Sequence, residues 1–282
     1  MKLFSTGAAA LVMMTVTPMA EAQTPTPSTT PMSLSASSDD EFELATDRPD
    51  FTETSEVVGR GQLQIESGFV LESDRREDIE TRAITTPSVL ARIGVGHNLE
   101  LRVAGDGYLR GWSTSPGDHA VSGYSDVELG AKYKFVRTSR LSMTVIPSLS
   151  IPTRDSHYSS GTYDAMVKVT WATALPLHFD IGGNLNDARL SDERGRFTQR
   201  AASVSIAHDI KGPWGAYGEA FGFTPMERGA GPGWTVNSGV TRAVGRDMQV
   251  DVELGRGVTP DAPDWFMGVG FAVRGHLHSL VH

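Results

Sequence analysis

The chain has 282 residues, Lys+Arg 25 against Asp+Glu 34, a formal net charge of −9, 39% hydrophobic residues, 30 glycines and no cysteine. The missing cysteine excludes disulfide frameworks, zinc ribbons and Cys nucleophiles, and the acidic balance argues against nucleic acid as a partner. The glycine content favours turns and β structure over helices.

Residues 1–22 read as a secretory signal peptide. Lys2 supplies the charged start, Ala8 to Val16 a short apolar run, and Ala20-Glu21-Ala22 a small-x-small cleavage site. Residues 23–41 are dominated by Thr, Pro, Ser and acidic residues, a composition expected of a disordered linker. Residues 42–60 follow as an N-terminal lead-in. Within it, Asp47, Arg48 and Asp50 are the candidate functional residues. The preferred reading is a periplasmic cap on the base of the folded domain. The alternative is a plug that enters the domain and pairs with Arg92, Arg102 or Lys132.

From residue 61 onward the sequence alternates with a period of two. Val127, Leu129, Ala131, Tyr133 and Phe135 share one face, opposite Glu128, Gly130, Lys132 and Lys134. The same pattern gives about twelve strands of the length needed to cross an outer membrane. They are expected at 61–71, 84–95, 99–109, 123–135, 141–151, 162–173, 177–187, 199–210, 214–223, 233–243, 248–256 and 265–274. Short connections alternate with the longer stretches 72–83, 110–122, 152–161, 188–198, 224–232 and 257–264. That alternation fits a transmembrane antiparallel up-and-down β-barrel better than a soluble sandwich, which has no reason to gather its tight turns at one end. The barrel is placed at 61–274, with 275–282 as a C-terminal tail.

The polar face supplies the candidate lumen-lining residues: Glu66, Arg92, Arg102, Asp126, Glu128, Lys132, Lys134, Lys168, Asp180, Asp251 and Glu253. They are expected to face a hydrated lumen, where reversing Lys132 or Glu128 would spare assembly. Aromatics are expected in two girdles. Tyr108, Tyr124, Tyr163, Phe223, Trp234 and Trp265 form the outer one, and Phe135, Trp171, Phe179, Trp214 and Phe271 the inner one.

The run Thr46-Asp47-Arg48-Pro49-Asp50-Phe51-Thr52-Glu53, followed by Gly61-Gln62-Leu63-Gln64-Ile65-Glu66-Ser67-Gly68-Phe69, resembles the opening of a bacterial outer-membrane transporter family labelled "MetA-pathway of phenol degradation". Leu99 to Val103, Gly123 to Tyr133 and Phe266 to Arg274 are similar to later stretches of that family. The resemblance implies an outer-membrane barrel of a Gram-negative bacterium that passes small solutes, aromatic or hydrophobic ones being the candidates. Its partners would be outer-membrane lipid, the solute and the barrel assembly machinery, with no cofactor. The chain departs from common barrel practice by continuing past Arg274 instead of ending on an aromatic residue.

No nucleophile elbow, P-loop or H-E-x-x-H motif is present. His119, Ser156, His157 and Ser159 lie in stretches expected at the outer rim, and would be the residues of a lipid-acting barrel enzyme. His276, His278 and His282 read as a frayed tail in preference to a metal site. A non-conducting structural barrel is the remaining alternative.

Overall fold

A computed structural model describes residues 44–277, apart from 77, 116, 117, 154, 156 and 193. The expected signal peptide, the linker, Ser156, His278 and His282 lie outside the described residues.

The described chain forms one antiparallel sheet of β1 (Gln62–Arg76), β2 (Ile79–Gly94), β3 (Leu99–Gly105), β4 (Tyr108–Ser113), β5 (Val121–Tyr124), β6 (Val127–Arg137), β7 (Ser142–Ile151), β8 (Asp164–Leu175), β9 (Phe179–Asp192), β10 (Gly195–Lys211), β11 (Trp214–Thr224), β12 (Gly233–Ala243), β13 (Met248–Gly257) and β14 (Trp265–His276). β2 pairs with β3 over its second half and with β4 over its first, while β4 pairs with β5 and β3 with β6. Each of these two pairs in the chain, β3/β4 and β5/β6, is therefore one long strand with a break. The result is a 12-strand barrel, closed where β1 pairs with both β2 and β14. Closure leaves no sheet edge for lipid to meet, which a membrane-spanning sheet requires.

The break after Gly105 has a local cause. Gly107 takes φ +62, and a Cβ there would lie 2.3 Å from the Pro87 carbonyl oxygen. Only glycine lets the backbone pass so close in that conformation.

Two connections expected to be long are mostly strand. β1 continues to Arg76 and β2 begins at Ile79, while β9 continues to Asp192 and β10 begins at Gly195, so the described residues of these stretches extend the two strand pairs. These extensions carry little apolar alternation, because above the bilayer nothing requires it. β14 likewise continues to His276, which pairs with Gln62 and closes the barrel two residues beyond the expected end.

The distribution of apolar groups is inside out relative to a soluble protein. Phe69, Leu101, Val103, Leu129, Tyr133, Phe135, Leu185, Val252 and Leu254 are exposed on the outer face, while Gln64, Glu66, Arg92, Glu100, Lys132, Asn184 and Glu253 are buried inside. Of the expected aromatic girdles, Tyr108, Tyr124, Tyr163, Trp234, Phe135, Trp214 and Phe271 are exposed on the outer face. Phe223 is not. It shares the parity of Tyr217, Glu219 and Phe221 on β11, and all four are buried in the interior.

Candidate functional site: the lumen and the segment that fills it

Residues 46–58 lie inside the barrel, not beneath it. Thr46, Asp47, Arg48, Asp50, Phe51, Thr52, Glu53, Thr54, Ser55, Val57 and Val58 are all buried. The expected periplasmic cap is therefore corrected: these residues meet the inner wall. Their partners trace a re-entrant loop. It enters beside Gln64, whose Nε2 donates to the Ala45 carbonyl at 2.8 Å. It turns at Phe51, packed against Phe221, Phe223 and Phe266 at the outer end of the lumen. It returns past Glu100, which accepts the Val58 N–H at 2.7 Å, to the start of β1. Gly94 faces the returning leg. A Cβ there would sit 2.0 Å from the Gly59 carbonyl oxygen, so a glycine is needed for the two backbones to approach.

One side of the wall is basic. Asp47 accepts from Lys132 at 2.9 Å and from Arg102 at 2.5 Å, with Arg92 at 3.5 Å. Glu53 pairs with Lys168 at 2.7 Å and Arg102 at 3.1 Å. Glu100 accepts from Arg92 at 2.9 Å and from Arg102 at 3.2 Å, which balances the cluster. Lys134 pairs with Glu56 on the returning leg. The opposite side is acidic. Asp251 accepts from Arg48 at 3.0 Å. Glu66 lies where the two sides meet: it accepts the backbone N–H groups of Asp47 and Arg48 at 2.8 and 3.0 Å and pairs with Arg92 at 2.9 Å. Glu219 accepts those of Phe51 and Thr52 at 2.7 and 2.6 Å, together with the Thr52 hydroxyl. Asp50 accepts from Ser205 at 2.6 Å, and Asn184 donates to the Phe51 carbonyl.

Several candidate wall residues thus converge on the segment: Glu66, Arg92, Arg102, Lys132, Lys134, Lys168 and Asp251. They are sealed against it and do not face open water, so the expectation that reversing Lys132 spares assembly is withdrawn. Asp126 does something else. It accepts from Thr153 and Ser160 and fastens the 152–163 loop at the rim. Glu128 is half-buried on β6, and Asp180 is buried near the other end of the barrel. Glu253 is buried on β13. Sequence reading missed Glu53, Glu100 and Glu219. Parity alone would have found Glu219, two residues from Tyr217 in a strand whose glycines obscure the alternation.

On the outer side of the loop apex lies a crevice lined by Phe51, Met166, Ala188, Ala201 and Phe223, with Lys168, Asn186 and Gln199 as its polar groups. At the rim, His157 gives its backbone N–H to Asp155, and the Ser159 hydroxyl accepts the N–H of Gly161. These contacts build the loop itself.

An outer membrane channel from Pseudomonas putida F1 superposes on this chain with a TM-score of 0.58 at 14% identity, covering 78% of this chain and 98% of that one. The NanC porin superposes with a TM-score of 0.50 at 7% identity, covering 75% and 98%. At such identities the likeness is one of fold, that of an outer-membrane β-barrel. No curated protein matches the chain in sequence. The family model described as "Putative MetA-pathway of phenol degradation" matches residues 46–275, from the first buried residue of the lumen segment to the next-to-last residue of the closing strand, and the chain belongs to that family.

Proposed function

We propose that the protein is an outer-membrane channel for small solutes, exported by the segment 1–22, with residues 46–58 as the gate of its lumen. The observation that carries this reading is the loop itself. A barrel needed only as a wall can fill its interior with its own strand side chains. Here the interior accommodates a separate segment, held by ion pairs and hydrogen bonds and, among the described residues, continuous with the sheet at Gly61. Such a segment can leave the lumen without breaking a strand. That the solute is small and aromatic or hydrophobic draws on the family's description; with the loop in place, the crevice at its apex has room for about one water and holds no ring. Passage through a lumen needs neither a cofactor nor a catalytic residue, and folding would follow the general route through the barrel assembly machinery into outer-membrane lipid.

The second reading is a non-conducting structural barrel. It draws on the complete burial of Arg92 and Lys132 against the loop. Conductance of purified protein in planar bilayers separates the two. The wild-type chain should conduct weakly, and a chain lacking 44–58 that still shows heat-modifiable gel migration should conduct strongly. A folded deletion variant that passes no current would leave the structural reading standing.

A further inference from the structure

Beside the apex of the lumen loop, the acidic side of the wall holds oxygens that the loop does not use. Glu253 on β13 is 1% exposed, and no described residue gives Oε1 or Oε2 a hydrogen bond of good geometry, the Asn237 amide alone standing within looser reach. Nor does any described residue give one to Oδ1 of the buried Asn237 on β12. The β12–β13 register sets Asn237 opposite Gly255, two residues from Glu253; its amide lies within hydrogen-bonding reach of both the Glu253 and the Glu219 carboxylates, and its Nδ2 reaches the Tyr217 hydroxyl at 3.5 Å. Glu219 is engaged by the N–H groups of Phe51 and Thr52. The nearby guanidinium, Arg48, is bonded to Asp251. Glu253 packs against the flat wall at Gly268, where a Cβ would come within 2.4 Å of its Oε1.

We propose that Glu253 and Asn237 form a binding site for a desolvated monovalent cation of the sodium type, beside the gate segment. An ionised carboxylate buried without a partner costs several kcal/mol, so a counter-charge or a proton must accompany it. The three orphaned atoms are all acceptors. One proton would satisfy two of them at most, whereas a small hard cation takes several oxygens at once. Charge sets the valence. Arg48 neutralises Asp251, and Glu219 is spent on backbone N–H groups, which leaves the single charge of Glu253. A divalent ion is disfavoured, since no group of three His, Cys, Asp or Glu residues among those described is arranged to hold a metal. The titratable groups facing Glu253 are Glu219, Asp251 and Arg48. The site does not depend on solute passage, because it rests on the acid wall and not on the open state.

The test uses the purified mature chain in detergent, with NaCl compared against N-methylglucamine chloride at equal ionic strength and fixed pH. Two quantities are read: the midpoint of the heat-modifiable gel transition, and the broadening of the sodium-23 resonance. In the wild type, sodium should raise the midpoint and its resonance should broaden. Glu253→Gln should abolish both effects. Asn237→Leu removes one ligand oxygen and leaves the charge, so it keeps the test alive if Glu253→Gln does not fold; it should weaken the apparent affinity several-fold. Equal midpoints in the two salts would overturn the proposal. So would a midpoint that follows pH but not the identity of the cation, which would mean that a proton neutralises Glu253.

Discussion

The two sides of the lumen hold the same loop by different chemistry. The basic side, built from Arg92, Arg102, Lys132 and Lys168, grips side-chain carboxylates at Asp47 and Glu53. The acidic side grips mostly backbone: Glu66 takes the N–H groups of residues 47 and 48, and Glu219 those of residues 51 and 52. Two charged side chains of the loop also meet it, Arg48 across Asp251 and Asp50 at the Ser205 hydroxyl. Arg92 and Lys132 also donate to the Ala45, Glu56 and Thr54 carbonyls, so the basic side reads both the loop's sequence and its path, while the acidic side reads mainly the path. A substitution in the loop should be felt on the basic side first, since almost any residue still offers an N–H to Glu66 and Glu219.

The sharpest way to break this contrast is Asp47→Ala. It leaves Arg92, Arg102 and Lys132 facing one another with a single carboxylate fewer, and stranding partners of a buried pair costs about 3–5 kcal/mol. The heat-modifiable midpoint should fall steeply and the loop should become protease-accessible. If Asp47→Ala migrates and melts like wild type, the basic side does not hold the loop.

Leu129→Arg sharpens the comparison from outside. Leu129 is exposed on the outer face and pairs in register with Val103, one residue from the inward Arg102. A guanidinium at residue 102 is neutralised by Asp47 and Glu53; the same group at 129 meets hydrocarbon, at a cost of about 2–4 kcal/mol near the midplane. Folding yield into lipid vesicles, scored by gel shift, should drop accordingly. A normal yield would mean that this face does not contact lipid.

Glu219→Gln probes the acidic side. The amide keeps one acceptor for the N–H groups of Phe51 and Thr52 but loses charge and one acceptor oxygen, so about 1–3 kcal/mol is expected, less than for Asp47→Ala. The same melting assay ranks the two. A larger loss for Glu219→Gln would invert the assignment of which side discriminates.

Much of this barrel was legible in its alternation. Val127 to Phe135 separates into two faces by counting alone, and those faces are the outer and inner ones observed. What was hidden is the occupant of the lumen. The charges of Asp47, Arg92, Arg102 and Lys132 are visible in the sequence, but pairing across more than forty residues has no local periodicity to betray it. One signal was present. Gly68 and Gly270 stand at inward positions, and a Cβ on either would strike the Arg48 guanidinium at 2.4 and 2.1 Å. With Gly94 under the returning leg, inward glycines mark where the loop lies against the wall. A glycine in a strand interior signals close approach by something; the sequence does not say by what. Phe223 stands at a strand end, where a girdle is expected, but its parity with Tyr217 and Phe221 turns it inward.

The smallest expected effect concerns the rim, where Asp155 repeats the device of Glu219 outside the membrane. Its carboxylate accepts the N–H groups of Tyr124, His157 and Tyr158 at 3.2, 2.9 and 3.2 Å, and so ties the 152–163 loop to β5. Partial burial, the largest single influence, pushes its pKa up, but the three N–H groups together with His157 bring it below the usual carboxylate value. A depressed folded pKa means that the stabilisation is complete above the unfolded value, about 3.9, and is lost as pH falls through the folded value. Amide hydrogen exchange across 121–124 and 157–160 should therefore be equally protected at pH 7 and 5, with protection failing only in strong acid. Asp155→Ala should expose the same amides at every pH. If protection already fails between pH 7 and 5 in the wild type, a histidine such as His157 fastens the loop, and the likeness between Asp155 at the rim and Glu219 in the lumen is lost.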